Sequence, residues 1–223
     1  MTPRHRLAQG LGLSTLLVAV LALPALRPLP PLQLEGSTDR PRGAAASRGT
    51  LTPAEAAPLI LLGDSITAAG PWSEAFPQRR VINAGIPGDT SVDLLARLDT
   101  LPSLPGATVV LMAGINDILQ DQPTAAVADR LLAVRRGLLE RGAARVVMVS
   151  TLPCEASRLG PRCLAPVAEL NRSLQEQLAA ADVLDLRPEL SDAGGLRRSM
   201  GTDGLHLSQE AYQVWLRRLA AVL

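Results

Sequence analysis

Leu59-Ile60-Leu61-Leu62-Gly63-Asp64-Ser65-Ile66-Thr67 is the stretch that decides the fold. Four consecutive apolar residues without polar alternation read as a strand buried on both faces, the pattern of a parallel sheet covered by helices. Gly63 ends the run. Asp64 and Ser65 then set a carboxylate and a hydroxyl at the carboxyl end of the strand, where open parallel sheets bind their ligands.

Outward from this strand the pattern alternates. Val81-Ile82-Asn83 reads as a second, weaker strand, Thr108 to Ala113 as a third, Arg145 to Ser150 as a fourth and Val183-Leu184-Asp185-Leu186 as a fifth. Thr90 to Leu101 reads as a helix, capped by Thr90 or Ser91 with Asp93 in its first turn. Thr124 to Arg141 is a long amphipathic helix with Val127, Leu131, Val134 and Leu138 inward and Gly142 as its stop. Ala165 to Ala181 and Gln209 to Val222 are two more, the last capped by Ser208 with Leu207 placed to pack on Tyr212. Strand–helix alternation with right-handed crossovers predicts a three-layer α/β/α sandwich around a five-stranded parallel, flavodoxin-like sheet. The polar segments then fall at one edge of that sheet: Asp64-Ser65 after strand one, Asn83 to Thr90 after strand two, Gly114 to Asp117 after strand three, and Asp203 to His206 after strand five.

The chain has 223 residues, 47% of them hydrophobic, enough for one good-sized domain. A net charge of +1 gives no field to steer a phosphate backbone, so nucleic acid is not an expected partner. Lysine is absent, and every basic side chain other than histidine is arginine, which reads as a compositional bias. Four aromatic residues, Trp72, Phe76, Tyr212 and Trp215, are too few for a broad stacking surface. Trp72 suits either the mouth of the site or the packing of the first helix, whereas Tyr212 and Trp215 share a core-facing side of the last helix. Arg197 and Arg198 read as a solvated loop.

The amino-terminal stretch has the order of an export signal. Arg4, His5 and Arg6 form a basic start, and Leu11 to Leu26 is almost wholly apolar. Residues 1–30 are read as a signal peptide or an N-terminal membrane anchor, and either carries the domain across the cytoplasmic membrane. Residues 31–56, rich in Gly, Pro, Ser, Ala and Arg, are read as a flexible linker. The folded domain is read as 57–223. Cys154 and Cys163 are the only cysteines, and an even count in an exported protein points to a disulfide that pins one loop. Two sulfurs and two distant histidines make no recognisable metal site.

Asp203-Gly204-Leu205-His206 supplies what Ser65 needs. A hydroxyl becomes a nucleophile only when a base takes its proton, and imidazole suits that task near neutral pH. A carboxylate must in turn orient the imidazole. His5 lies in the leader, so His206 is the sole histidine available to the domain. No G-x-S-x-G elbow surrounds any serine, which excludes the commonest alternative plan.

Four blocks together, Gly63-Asp64-Ser65-Ile66-Thr67, Asn83-Ala84-Gly85-Ile86-Pro87-Gly88-Asp89-Thr90, Gly114-Ile115-Asn116-Asp117 and Asp203-Gly204-Leu205-His206, resemble the SGNH hydrolases, also called the GDSL esterase/lipase superfamily. The resemblance covers nearly all of Leu59 to Leu223. In wording the blocks are most similar to the branch holding platelet-activating-factor acetylhydrolase catalytic subunits and bacterial acyl-sugar esterases. The resemblance implies that Ser65 is the nucleophile, His206 the general base and then acid, and Asp203 the carboxylate behind it. It implies an oxyanion hole from the backbone N–H groups of Ser65 and Gly88 and the side-chain amide of Asn116. Asp64 and Asp117 are read as loop organisers. The implied reaction, hydrolysis of a carboxylic ester through an acyl-serine, uses no metal and no cofactor. The substrate expected is a small-acyl ester of a small molecule or an acylated glycan. Lysophospholipase or thioesterase activity, acyl transfer to an extracytoplasmic glycan, and a non-catalytic binding module stand as alternatives.

Overall fold

The structure, a computed structural model, describes residues 57–223. The readings for residues 1–30 and 31–56 lie outside the described residues. The elements run β1 (Leu59–Gly63), α1 (Ser65–Ala68), α2 (Trp72–Ala75), β2 (Val81–Gly85), α3 (Ser91–Ala96), β3 (Thr108–Met112), α4 (Ile115–Leu119) and α5 (Thr124–Glu140). Then follow β4 (Arg145–Val149), α6 (Ala156–Leu159), α7 (Leu164–Gln177), β5 (Val183–Leu184), α8 (Arg187–Leu190), β6 (Ser191–Asp192), β7 (Gly195–Leu196) and α9 (Gln209–Ala220).

Strands β1 to β5 form one parallel sheet, as the alternation predicts, in the flavodoxin-like order β2-β1-β3-β4-β5. Period-two alternation splits the sheet's side chains between two cores. Leu59 and Leu61 of β1, Val110 and Met112 of β3, and Val147 and Val149 of β4 pack with Trp72, α4 and α9 on one face. Ile60, Leu62, Val109, Leu111, Val146 and Met148 pack with α3, α5 and α7 on the other. The inner face of α5 is Val127, Ala128, Leu131, Val134 and Leu138, and burying each of its larger side chains contributes about 1.5–3 kcal/mol. Strand order reverses between β1 and β3, so the crevice where such sheets bind ligands opens beyond Gly63 and Met112.

Several elements are shorter than their sequence patterns, and three show why. The helix from Thr90 becomes α3, with a capping box between Thr90 and Asp93, and then a 3-10 turn over Leu98–Thr100. Pro102 forces Leu101 into an extended conformation and ends it. Helix α7 stops at Gln177 because Leu178 turns extended, and Asp182 of the next turn is held by Arg135 of α5 at 2.6 Å. Strand β5 ends at Leu184 because Asp185 leaves the ladder to bind Arg187 with both carboxylate oxygens. Ser208 caps α9 as expected, and Leu207 and Tyr212 share one core.

Candidate active site

The turn from β1 into α1 is tight because Gly63 has no side chain. A Cβ there would lie 2.1 Å from the Met112 carbonyl oxygen and 2.3 Å from Thr67 Oγ1. Asp64 caps α1, its Oδ1 accepting the Ile66 N–H at 2.9 Å, so Ser65 is the first helical residue. A four-residue helix cannot satisfy its own carbonyls. Here the helix's own cap serves one, and side chains from elsewhere serve the other three. Ser65 is served by the Ala69 N–H, Ile66 by the Tyr212 hydroxyl at 2.7 Å, Thr67 by Trp72 Nε1 at 2.7 Å, and Ala68 by Asn83 Nδ2 at 2.9 Å. Trp72, Tyr212 and Trp215 pack together, with the two tryptophan rings edge to face at 4.8 Å. Trp72 therefore packs beneath the helix and does not line the mouth; it is 1% exposed.

Ser65 Oγ lies 2.9 Å from His206 Nε2. His206 Nδ1 lies 2.6 Å from Asp203 Oδ2, while Asp203 Oδ1 accepts the backbone N–H groups of Leu205 and His206 at 2.9 and 2.8 Å. With Nδ1 donating to the carboxylate, Nε2 is free to accept the Ser65 proton. Burial pushes the Asp203 carboxyl up, but the hydrogen bonds from His206 and from the two backbone N–H groups outweigh it and bring it down to about 2. Asp203 is therefore a permanent anion near neutral pH. Asp64 behaves oppositely. Burial raises it to about 6, ahead of the lowering effects of the Ile66 N–H and the charge of His206. Its Oδ2 is buried without a protein partner.

The neighbouring loops bring up the donors. Gly88 has φ +88°, a left-handed conformation that favours glycine, and nothing lies within 4 Å of where a Cβ would stand. Among the described residues neither the Ser65 nor the Gly88 N–H donates to a protein acceptor. Asn116 Nδ2 donates to the Asp89 carbonyl at 2.9 Å, which places the amide against the Gly88 loop. Asp117 is fully buried and accepts the N–H and hydroxyl of Ser91 at 2.8 and 2.6 Å. Arg130 Nε reaches the same hydroxyl at 2.7 Å. Arg97 donates from Nε to Asp89 Oδ2 at 2.6 Å and from Nη2 to the carbonyls of Ala84 and Gly63 at 2.8 and 3.3 Å. One guanidinium thus ties the ends of β1 and β2 to the loop that carries Gly88.

One pocket adjoins the site at Gly88, and a second lies apart from it. One of about 290 Å³ is bounded by Gly88, Val92 and the polar residues Thr90, Asp93, Gln120 and Gln122. A more apolar one of about 390 Å³, between Pro153, Leu164, Val167, Pro188 and Gly195, contains none of the candidate catalytic residues. Cys154 and Cys163 are joined in a disulfide beside it.

Residues 61–214 match the model of the GDSL-like lipase/acylhydrolase family. The chain belongs to that family. It is 30% identical over 168 residues to the esterase TesA of Pseudomonas aeruginosa, covering 69% of this chain and 81% of that protein. Among solved structures, the lipase/acylhydrolase from Enterococcus faecalis superposes with a TM-score of 0.61 at 26% identity, over 74% of this chain and 94% of its own. A protein from Streptococcus pneumonia, solved as a candidate platelet activating factor, superposes with a TM-score of 0.66 at 28% identity, over 74% and 84%. As a member of the GDSL-like family the chain is a hydrolase acting on esters or related acyl compounds.

In this GDSL-like hydrolase the fold brings the side chains of Ser65, His206 and Asp203, the three expected from the sequence, into one hydrogen-bonded line. Gly88 and Asn116 lie on adjacent loops at the same sheet edge. Asp64 and Asp117 organise the turn into α1 and the start of α3, respectively. Arg97 and Arg130 escape the sequence reading, and Ser91 enters it only as a candidate helix cap. An arginine on a helix reads as a solvated residue, and only the spacing of β1, β2 and α3 turns Arg97 inward.

Proposed function

We propose that this hydrolase cleaves carboxylic esters through an acyl-Ser65 intermediate. The reading is carried by the unbroken line Ser65 Oγ, His206 ring, Asp203 carboxylate, at 2.9 and 2.6 Å. His206 Nε2 takes the proton as Ser65 Oγ attacks the ester carbonyl. The N–H groups of Ser65 and Gly88 and the second N–H of Asn116 receive the oxyanion. The imidazolium returns the proton to the departing alcohol oxygen. Water then attacks the acyl-serine by the same steps in reverse roles, and the same donors serve the second tetrahedral stage. Asp203 holds the ring and stabilises the imidazolium without being protonated itself.

The substrate is a small acyl group, acetyl being the model case, on a sugar or similar polar alcohol. Two observations support this. The wording of the sequence blocks is similar to the acyl-sugar esterase branch, and the pocket that adjoins Gly88 is lined mainly by polar side chains. Export is supported by the basic-then-apolar leader and by a disulfide, which belongs to oxidising compartments.

A fluorophosphonate probe should label the wild-type protein and fail to label Ser65→Ala. Hydrolysis of p-nitrophenyl esters should fall steadily from acetate to palmitate. Failure of an intact wild-type preparation to label removes the nucleophile, and a preference for long chains defeats the small-acyl substrate. Product analysis with an added sugar acceptor separates hydrolysis from transfer, since only transfer gives an acylated sugar.

A further inference from the structure

The turn that carries Asp203 and His206 is not held by the sheet. Its base closes on itself, with an isolated bridge between Gly201 and Leu207 and a Thr202 N–H to His206 carbonyl bond of 2.9 Å. Its tip leans on one loop, the segment closed by the Cys154–Cys163 disulfide. The Glu155 N–H donates to the Gly204 carbonyl at 2.7 Å. Arg158 Nη1 donates to the Thr202 carbonyl at 2.9 Å. The Arg158 stem covers Gly204 so closely that a Cβ on that glycine would lie 3.0 Å from Arg158 Cβ. The Glu155 carboxylate, 7% exposed, faces Arg158 at 3.3 Å and Arg198, at the approach to the turn, at 3.4 Å.

We infer that the disulfide loop is a strap for the catalytic histidine, with Glu155 and Arg158 as its positioning residues. The inference rests on the reading of His206 as the general base. Three ties from a ten-residue ring converge on Thr202, Gly204 and the approach at Arg198, so they hold the residues on either side of Asp203 and the turn that leads to His206. The loop is itself anchored to the β6–β7 hairpin: the Cys154 carbonyl accepts the Leu196 N–H, and the Ala156 N–H donates to the Gly194 carbonyl. Neither half-cystine is accessible to solvent, so the bridge is a permanent strap and not a thiol switch. Without it, His206 wanders relative to Ser65, and a displacement of about 1 Å at a reacting group costs up to about a hundredfold in rate. Binding of substrate, whose contacts lie on the Ser65 and Gly88 side, is spared.

The test compares Arg158→Ala, Arg158→Lys and the double variant Cys154→Ala/Cys163→Ala, with Arg162→Ala, an exposed position on the same loop, as control. Expected is a fall in kcat of about ten- to a hundredfold for Arg158→Ala and for the double variant, with KM within twofold. Fluorophosphonate labelling should slow in parallel, Arg158→Lys should recover part of the rate, and the control should match wild type. The downfield proton resonance of His206 Nδ1–H, which requires no turnover, should broaden in the same variants. Folded variants with wild-type kcat, or with the loss confined to KM, overturn the strap while leaving Ser65 as nucleophile. An unlabelled wild-type protein overturns the nucleophile instead, and the His206 resonance then still decides whether the loop holds the turn. If the double variant fails to fold, Arg158→Ala and its lysine rescue carry the decision alone.

Discussion

Asp117 accepts both donors of Ser91, the backbone N–H at 2.8 Å and the hydroxyl at 2.6 Å. The pair joins the loop after β3 to the first turn of α3, and so to the segment holding Gly88. Asn116, one residue earlier, ties the same loops through the Asp89 carbonyl. On the proposed mechanism these adjacent residues divide two tasks, Asn116 facing the reaction and Asp117 bearing the framework.

That division is measurable. Asn116→Ala should lower kcat by about 10²–10³, the usual cost of one oxyanion donor, with little change in KM and a fall in melting temperature smaller than that of Asp117→Ala, from the lost tie to the Asp89 carbonyl. Asp117→Ala should lower both rate and stability, because it strands the buried Ser91 N–H, at a cost of about 1–3 kcal/mol. Steady-state kinetics beside thermal melts checks the pair. Equal effects of the two variants on melting would deny the division.

Tyr212 offers a second test, remote from the chemistry. Its hydroxyl donates to the Ile66 carbonyl on the helix that carries Ser65. Burial raises the phenol's pKa, so it stays a neutral donor across the working range. Tyr212→Phe keeps the ring's packing against Trp72 and Trp215 and removes only that donor. The expected cost is about 1–3 kcal/mol in denaturant unfolding, with a smaller loss of kcat. Wild-type stability in the phenylalanine variant would show the hydroxyl to be idle.

These contrasts show what could be read in the chain. The parallel sheet was legible because β1, β3 and β4 are apolar on both faces, and α5 because Val127, Leu131, Val134 and Leu138 recur at helical spacing. Ser65, Asp203 and His206 were legible because the domain holds a single histidine and each block falls after a strand. The anchoring side chains were not. Tyr212 on α9 scans as core whether or not its hydroxyl has a partner, and it meets Ile66 only across 146 positions. Arg97 scans as a surface charge, yet its side chain is 16% exposed and grips two strand ends. The hairpin β6–β7 has two residues per strand, too few for any period to register.

Asp203→Asn keeps the size of the carboxylate while removing its charge and inverting one hydrogen bond. The amide can hold His206 in the wrong tautomer, with Nε2 protonated and unable to accept from Ser65. The expected loss in kcat is roughly 10³–10⁴ at neutral pH, with KM largely retained. Stopped assays on p-nitrophenyl acetate measure it. A loss below tenfold would remove Asp203 from the reaction.

The sharpest physical prediction concerns Asp64, whose carboxyl is fully enclosed and whose Oδ2 has no protein partner. Burial lifts it from the ordinary 3.8 to about 6. Between those values the folded chain binds more protons than the unfolded one, so this group makes stability fall as pH rises from about 4 to about 6. The gap corresponds to roughly 3 kcal/mol, lost fully only above pH 6. Asp203 has the opposite sign and a different window: its pKa is depressed, so its contribution is complete above about pH 4 and disappears as pH falls toward about 2. The two groups therefore do not mask each other between pH 4 and 6. Asp64→Asn retains an oxygen to cap Ile66 but cannot ionise. Its unfolding free energy, measured in urea at half-unit steps, should be flatter across that interval than that of the wild type and relatively higher at pH 7. Parallel curves for the two proteins would mean that Asp64 does not titrate in this range.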